Sequence, residues 1–200
     1  MSGVYRTIVA DPPWAVRTGQ KGGATGEGFA GGNGLNRALA YPTMTVEEIA
    51  ALPAADLAAD DAHLYLWTIN RYVEDAFAVA RAWGFEFSTL LTWAKKPMGS
   101  GLGGAWGIST EHVLFCRRGA DVAVGRRAGT SFAYKRPYDE RGKPKHSAKP
   151  PEFLDEVERV SPGPYVELFS REQVPRLGWD YHGDESLGTA RLADTGAIAA

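Results

Sequence analysis

The chain has 200 residues, of which 44% are hydrophobic, and a formal net charge of −2. This length favours one domain with a substantial core, and the charge excludes a surface that is basic throughout, so a polyanion site requires local clustering. The single cysteine, Cys116, excludes an internal disulfide, and the absence of a signal peptide or long apolar run predicts a cytoplasmic protein without a membrane partner. The histidines His63, His112, His146 and His182 are scattered without ligand spacing, which predicts no metal site.

The first predicted strand, Val4 to Ala10, stops at the sequence Asp11-Pro12-Pro13-Trp14. Two φ-locked prolines after a β-rich run predict a rigid turn, and neither proline carries an N–H. The carbonyls of Asp11 and Pro12 can then face outward beside the Asp11 carboxylate, with the Trp14 ring as a stacking surface. This set suits a planar base that bears an amino group. The alternative interpretation is a strand-to-loop turn with a packing tryptophan.

The stretch that follows this turn is dense in glycine, from residue 15 to residue 39. Such a composition predicts either a mobile lid over the site or a disordered insertion, and both interpretations stay open. Beyond it, Thr45 and Glu48 predict a capping box at the start of a short helix that runs to Leu52.

The next region predicts a strand, a helix and a second strand. His63 to Thr68 is an apolar run of strand length, and Phe85 to Trp93 is another β-rich run. Between them, apolar residues at helical spacing predict a helix that Asn70 caps and Gly84 stops. A βαβ unit of this kind predicts two parallel neighbouring strands with a right-handed crossover.

A strand from Glu111 to Cys116 leads into a basic segment. From Arg117 to Lys149 there are ten Lys or Arg residues against three Asp or Glu residues. Such a segment is either a solvated face or a phosphate-binding surface, and both interpretations stay open. The aromatic residues Phe132, Tyr134 and Tyr138 favour contact with single-stranded or flipped nucleotides.

The last third predicts a helix from Pro151 to Val160 and a strand from Tyr165 to Phe169, followed by a patternless flexible tail over residues 186–200. Alternating strands and helices with polar motifs at strand ends indicate an α/β fold with a doubly wound, mostly parallel sheet. Ligands of such sheets bind at the carboxyl ends of the strands. No GxxxxGK[ST] or GxSxG sequence is present, and no GxGxxG sequence joins a predicted strand to a predicted helix, so these patterns alone name no reaction.

A series of short motifs spans the chain in a fixed order. The motifs are Asp11-Pro12-Pro13-Trp14, Tyr41-Pro42-Thr43-Met44, Leu66-Trp67-Thr68, Trp93-Ala94-Lys95, Glu111-His112, His146-Ser147-Ala148-Lys149-Pro150, Glu158-Arg159-Val160-Ser161-Pro162-Gly163, Glu167-Leu168-Phe169-Ser170-Arg171 and Gly183-Asp184-Glu185. These motifs and their order resemble those of the DPPW family of adenine-N(6) methyltransferases. That family includes the catalytic subunit of the eukaryotic messenger-RNA adenosine methyltransferase and many bacterial and phage enzymes. The resemblance covers Tyr5 to Glu185.

The resemblance implies a Rossmann-like fold with a permuted, beta-class motif order, in which residues 1–185 form the methyltransferase domain. It also implies transfer of a methyl group from S-adenosyl-L-methionine to the 6-amino group of adenine. The catalytic motif is then Asp11, Pro12, Pro13 and Trp14, where the Asp11 carboxylate and the Pro12 carbonyl accept the amine hydrogens and Trp14 or Tyr41 stacks on the base. In-line positioning, rather than a strong general base, supplies most of the acceleration.

The resemblance further implies the residues that contact cofactor and substrate. Lys149 pairs with the methionine carboxylate, Asp11 contacts the methionine ammonium, Arg171 and Gln173 reach the ribose hydroxyls, and Asp184 and Glu185 hold the adenosine end. Lys95 contacts a phosphate or the target nucleotide, whereas His112 is either a substrate contact or a polar residue entering a strand. Many family members have Gly-Asn-Gln or Gly-Asn-Glu where this chain has Gly183-Asp184-Glu185, and a carboxylate there can still accept a hydrogen bond from a ribose hydroxyl.

The substrate expected from the resemblance is DNA, because a compact chain without zinc fingers or partner helices resembles the bacterial and phage branch. RNA methylation is the alternative within the same chemistry. A non-catalytic nucleic-acid-binding partner of the same fold is the alternative from another class, and the intact DPPW motif argues against it. Relatives often pair, so a homodimer is also expected.

Overall fold

The computed structural model describes residues 3–15, 42–95, 105–126, 129–143, 145, 148–171 and 176–183. Several predictions lie outside these residues: the glycine-rich segment beyond residue 15, the roles of Tyr41, Gln173, Asp184 and Glu185, and the tail 186–200.

The described residues contain a seven-stranded sheet with helices on both faces. Its strands are β1 (Tyr5–Ala10), β2 (Ala58–Thr68), β3 (Glu86–Ala94), β4 (Thr110–Arg118), β5 (Ser131–Phe132), β6 (Tyr165–Leu168) and β7 (Trp179–His182). The helices are α1 (Val46–Ala50), α2 (Ala54–Leu57), α3 (Val73–Ala82) and α4 (Glu152–Val160), with a 3-10 turn at Asn70–Tyr72.

The strand order is β5-β3-β4-β2-β1-β6-β7. β1 pairs in parallel with β2 and β6, β6 with β7, and β3 with β5, while β4 runs antiparallel to both β2 and β3. The prediction of a mostly parallel sheet is confirmed. The prediction that β2 and β3 are neighbours is wrong, because β4 lies between them and pairs Leu114 with Leu66 on one side and Leu90 on the other.

Helices cover the two faces of the sheet and create two cores, as a doubly wound fold requires. On one face α1 and α3 bury Ile49 and Trp83, and the Trp83 indole donates to the Ile49 carbonyl at 3.1 Å. On the other face α4 buries Phe153 and Val157 against Trp67. The sheet is therefore packed against helices on both of its faces.

Two predicted helix ends are confirmed. Thr45 and Glu48 form the capping box of α1, with a Thr45 N–H to Glu48 Oε2 distance of 2.7 Å and a Glu48 N–H to Thr45 Oγ1 distance of 3.2 Å. At the end of α3, Gly84 has φ of +77° and donates to the Arg81 carbonyl, while Phe85 donates to the Ala80 carbonyl. That hydrogen-bond pattern needs a residue in the left-handed region, which glycine adopts at no steric cost.

The prediction that Asn70 caps the second helix is wrong. Asn70 is the first residue of the 3-10 turn, and α3 begins only at Val73. The Asn70 side chain is therefore too far from the start of α3 to cap it. The Asn70 amide instead donates to the Thr110 carbonyl at 3.0 Å. Asn70 thus ties the end of β2 to the start of β4.

The prediction that Phe132 contacts nucleotides is also wrong, whereas for Tyr134 and Tyr138 it stays a prediction. Phe132 is buried and stacks on Phe153, with ring centroids 5.4 Å apart. The Tyr134 hydroxyl donates to Glu156 on α4. Both residues belong to the core beside α4, whereas Tyr138 is 44% exposed.

Strand β7 was not predicted, because Trp179–His182 is short and follows a turn without an apolar run. It pairs with β6 and places His182 beside Leu168. Within the described ranges, no helix has the length and apolar character that crossing a bilayer requires.

Candidate active site

Four charged side chains from distant parts of the sequence meet at one edge of the sheet. Asp11 follows the carboxyl end of β1, Lys95 follows that of β3, Glu111 lies at the start of the antiparallel β4, and Lys149 precedes α4. Because β4 runs opposite to its neighbours, its beginning lies at the edge where they end. This is the edge at which open α/β sheets bind ligands.

The four side chains form a chain of alternating charge. Lys149 Nζ lies 2.6 Å from Asp11 Oδ2 and 3.4 Å from Glu111 Oε2, and Lys95 Nζ lies 2.5 Å from Glu111 Oε1. Their side chains are between 13% and 26% exposed. The charges of two carboxylates and two ammonium groups cancel at this site. Because the side chains are partly shielded from water, each charge depends on its neighbours of opposite sign for stabilisation.

The proton states of this network follow from burial and from the neighbouring charges. Burial disfavours the charged form of Lys149, but the carboxylates of Asp11 and Glu111 outweigh that effect and raise the pKa of the Lys149 ammonium. Burial also acts against ionised Glu111, yet Lys149 and Lys95 outweigh it and lower the pKa of this carboxyl. For Asp11, burial raises the pKa and exceeds the lowering effect of Lys149. Asp11 is therefore a group whose ionised form is disfavoured by burial and favoured by the neighbouring Lys149.

Two tryptophans lie under the lysines. Lys149 Nζ is 5.3 Å from the centroid of the Trp67 ring, and Lys95 Nζ is 5.7 Å from that of Trp93. Both distances are within the range of cation–π attraction. The indoles are fully buried strand residues, so they form a rigid floor that fixes the two ammonium groups.

Trp14 does not present its ring to a ligand. It is 4% exposed, its ring stacks on Tyr72 at 5.4 Å and 18°, and its indole donates to the Trp67 carbonyl at 3.0 Å. The predicted stacking of Trp14 on a base is thus wrong, and the alternative of a packing tryptophan describes it. What the buried ring provides is a fixed position for the turn that carries Asp11.

The backbone of the turn is fixed as well. The Pro12 carbonyl accepts the Trp14 N–H at 2.8 Å, and the Pro13 carbonyl accepts the Met44 N–H at 2.9 Å. A carbonyl has two lone pairs, so the Pro12 oxygen keeps one acceptor position beyond this contact. The Tyr72 hydroxyl donates to the Ala15 carbonyl. Both ends of the segment between residues 15 and 42 are thereby anchored beside Asp11.

His112 bridges three elements. Its Nδ1 lies 3.1 Å from Thr92 Oγ1 on β3, and its Nε2 lies 3.2 Å from Asn70 Oδ1. With both ring nitrogens in hydrogen bonds, His112 matches the interpretation of a polar residue entering a strand. Burial lowers the pKa of His112, so the ring stays neutral at pH 7.

The segment after β6 comes close to the end of β7. Phe169 has φ of +61°, and the Ser170 N–H donates to the His182 carbonyl at 3.0 Å. A Cβ on Gly183 would lie 2.2 Å from the Ser170 carbonyl oxygen, so only glycine fits there. Arg171 leaves this corner, and its charge helps to lower the pKa of Asp11. The structure thus brings Arg171 to the same edge as Asp11 and Lys149.

Glu111 is a site residue that the sequence alone does not reveal. In the motif Glu111-His112, the resemblance implies a role only for His112. The signal in the sequence is an acidic residue at the start of an apolar strand. Acidic side chains are rarely buried unless a partner of opposite charge lies beside them. Its partners, Lys95 and Lys149, become visible only in the fold.

The strand order, the helices on both faces and the charged site at the strand ends define a Rossmann-like fold of the kind found in S-adenosylmethionine-dependent methyltransferases. Residues 5–185 match the MT-A70 family, and the chain belongs to that family. This match confirms the resemblance drawn from the motifs.

Three relatives in the family show how much of a longer protein this chain matches. The chain is 29% identical to the type II methyltransferase M.MunI of Mycoplasma sp over 195 residues, which is 90% of this chain and 77% of that protein. It is 26% identical to the human N(6)-adenosine-methyltransferase catalytic subunit METTL3, over 98% of this chain and 30% of the relative. It is 27% identical to the Drosophila melanogaster N(6)-adenosine-methyltransferase MT-A70-like protein, over 96% of this chain and 28% of the relative. The chain therefore spans less than a third of the length of these two eukaryotic relatives.

Proposed function

We propose that this protein transfers a methyl group from S-adenosyl-L-methionine to the 6-amino group of adenine in DNA. The observation that carries the proposal is the Lys149–Asp11 pair at the ligand-binding edge of the sheet, directly after β1. Family membership supports the methyltransferase class.

The charged side chains of the site fit the amino-acid end of the cofactor, which carries an ammonium and a carboxylate close together. Lys149 and Asp11 present the opposite pair of charges 2.6 Å apart, and Arg171 acts on the same carboxylate. In this proposal Lys149 holds the methionine carboxylate and Asp11 contacts the ammonium. The ribose and adenosine contacts assigned to Arg171, Gln173, Asp184 and Glu185 remain part of the proposal.

The acceptor side requires groups that take hydrogen bonds from an amine and donate none. The lone pair of the adenine amine is delocalised into the ring, which makes it a poor nucleophile. The Asp11 carboxylate and the free lone pair of the Pro12 carbonyl would accept its two hydrogens and localise that pair on nitrogen. The cofactor would supply the methyl group on a sulfonium, which is already an activated donor: the new N–C bond forms as the C–S bond breaks, a neutral thioether leaves, and the amine releases one proton to solvent. The chain then needs to position the amine in line with it.

Glu111 and Lys149 maintain this acceptor. Lys149 neutralises ionised Asp11, and Glu111 in turn holds Lys149 from the other side at 3.4 Å. Lys95, tied to Glu111, completes the arrangement and remains the proposed contact for the target nucleotide. In this proposal Lys149 favours the ionised form of Asp11 against the effect of burial, and the contact holds the carboxylate in one direction.

DNA is the proposed substrate because of the resemblance to the bacterial and phage branch, which is supported by the match to M.MunI over 77% of its length. RNA is the second candidate, favoured by the N(6)-adenosine-methyltransferase relatives that match 96% and 98% of this chain. A purely non-catalytic role is disfavoured, because the acceptor motif and its ion network are both intact. Duplex DNA would have to expose its adenine by base flipping, which single-stranded DNA avoids.

The experiment is a methyl-transfer assay with radiolabelled S-adenosylmethionine and three oligonucleotides of the same sequence: single-stranded DNA, duplex DNA and RNA. We expect label in DNA and its loss with Asp11→Ala. Label only in RNA would replace DNA with RNA as the substrate. No adenine label in any of the three would overturn the proposal. Light scattering of the same preparation tests the expected homodimer.

A further inference from the structure

The basic segment that follows β5 contains a folded hairpin. The Asp139 N–H donates to the Lys143 carbonyl at 2.8 Å, and the Lys145 N–H donates to the Pro137 carbonyl at 2.9 Å. At the tip, Asp139 Oδ1 accepts the N–H groups of Arg141 and Lys143 at 2.9 and 2.8 Å. The side chain of Asp139 therefore stabilises the turn. We call the described residues 135–143 and 145 the basic hairpin.

The basic hairpin carries an exposed surplus of positive charge. Its cations are Lys135, Arg136, Arg141, Lys143 and Lys145. All but Arg136 are exposed, and none of them makes an ion pair within the described ranges. The acidic residues of the hairpin are Asp139, which is engaged by the backbone, and Glu140. On a chain with a net charge of −2, this local surplus is a distinct feature.

Both ends of the basic hairpin are attached to the candidate active site. Just before it, the Tyr134 carbonyl accepts the Trp93 indole N–H at 2.9 Å, two residues from Lys95. Just after it, Lys149 binds Asp11 at 2.6 Å. The backbone thus leaves the site at Tyr134 and returns to it at Lys149. The segment that carries the cations is thus anchored at the candidate active site on both sides.

We infer that the basic hairpin binds the phosphates that flank the target adenine on the nucleic-acid strand. This inference rests on the proposed function and extends it to the part of the substrate that is not modified. Phosphate contacts fix the register and orientation of a strand without reading its sequence. The exposed ring of Tyr138, within the hairpin, gives a neighbouring base a surface on which to stack.

Fluorescence anisotropy tests this inference. It measures the binding of a fluorescein-labelled single-stranded DNA, which contains one adenine, at several salt concentrations. The test variant is Lys143→Ala/Lys145→Ala. Each phosphate contact to a single strand contributes about 0.7 to the slope of log K against log salt, so losing two contacts should reduce the slope by about 1.4. We expect affinity to fall by about tenfold at low salt, while calorimetric affinity for S-adenosylmethionine stays unchanged.

A matched control removes the same charge elsewhere. Arg6 lies on β1 away from its carboxyl end, Arg81 lies in the last turn of α3, and both are exposed. Arg6→Ala/Arg81→Ala should keep the wild-type slope. Melting temperatures of both variants show whether the fold is retained, and Lys143→Gln/Lys145→Gln serves as a second pair if the alanine variant is unstable.

The outcomes separate the two proposals. If the wild-type protein methylates DNA or RNA and the hairpin variant binds with the slope of the control, the basic hairpin is only a solvated face and the inference is wrong. If the wild-type protein methylates no nucleic acid but binds it through the hairpin, the proposed reaction fails and the binding surface stands. A rise in KM at unchanged kcat for the hairpin variant supports both.

Discussion

Lys149 Nζ lies 2.6 Å from Asp11 Oδ2, although the two residues are 138 positions apart in the sequence. Asp11 follows β1 and Lys149 leads into α4. The pair therefore joins the segment to which we assign the acceptor amine to the segment to which we assign the cofactor. The predictions for Lys149 and Glu111 depend on this contact.

Replacing Lys149 should move the acid limb of the pH–rate profile. Catalysis as proposed needs ionised Asp11, whose pKa is raised by burial and lowered by Lys149. Lys149→Met removes the lowering effect, so the pKa of Asp11 rises further and activity is lost at a higher pH than in the wild type. Lys149→Arg keeps the charge and should shift the limb far less. Methyl-transfer rates measured across pH for the three proteins check this.

Lys149→Met should also weaken binding of S-adenosylmethionine, because the methionine carboxylate loses its proposed partner. Isothermal titration calorimetry measures this directly. An acid limb that stays in place or moves to lower pH would contradict the role of Lys149 toward Asp11. Unchanged calorimetric affinity would contradict only its role toward the cofactor.

Glu111→Gln should lower kcat on the order of 10²-fold, since a shift of about 1 Å in a catalytic group costs that much. The substitution keeps the size of the side chain but removes the charge that Lys95 and Lys149 share. Glu111→Asp retains the charge and should recover part of the activity. If Glu111 only stabilises the fold, both variants will lose thermal stability while kcat of the folded protein is unaffected.

Trp14→Phe distinguishes packing from base stacking. The variant keeps an aromatic ring but leaves the buried Trp67 carbonyl without the indole N–H that binds it at 3.0 Å. We expect unfolding free energy to fall by roughly 1–3 kcal/mol, the usual cost of an unsatisfied buried group. Urea denaturation measures this loss. Unchanged stability together with a raised KM for the oligonucleotide would restore Trp14 as a stacking residue.

Stability should fall in mild acid because of His63. The ring is fully buried, its Nδ1 lies 2.7 Å from Ser161 Oγ, and its Nε2, 3.5 Å from Asp121, makes no hydrogen bond within the described residues. Burial lowers the pKa of His63 below the 6.5 of the unfolded chain, against the opposing effect of Asp121. The unfolded state therefore binds more protons, so His63 costs nothing above about pH 6.5 and destabilises the fold as pH falls below it.

Urea midpoints compared at about pH 7.5 and about pH 5.5 check the role of His63. The wild type should lose stability between the two values, and His63→Gln should be less stable at the higher pH but show a smaller loss. An equal loss in both proteins would assign the acid sensitivity to other groups.

Local signals predicted most of the elements correctly. The capping box of Thr45, the glycine stop at Gly84 and the apolar runs of β2, β3 and β4 depend on neighbours within a few residues, which the sequence displays directly. The motif series predicted the family and the sheet edge that holds the site, because its polar residues follow strands.

Properties that depend on distant residues were not predictable in this way. The placement of β4 between β2 and β3 depends on strand pairing, about which periodicity says nothing. Trp14 is buried because Tyr72, 58 positions later, covers its ring. Glu111 gains its role from Lys149, which reaches it only in the folded chain.

The most direct test of the account is mass spectrometry of nucleosides from adenine-containing DNA incubated with S-adenosylmethionine and either wild-type protein or Asp11→Asn. Asparagine keeps the shape of the side chain but places an amide where a carboxylate accepts the amine hydrogens. We predict that the wild type produces N6-methyladenine and that the variant produces less of it by a factor on the order of 10². Equal amounts of N6-methyladenine from the two proteins would contradict the central role of Asp11.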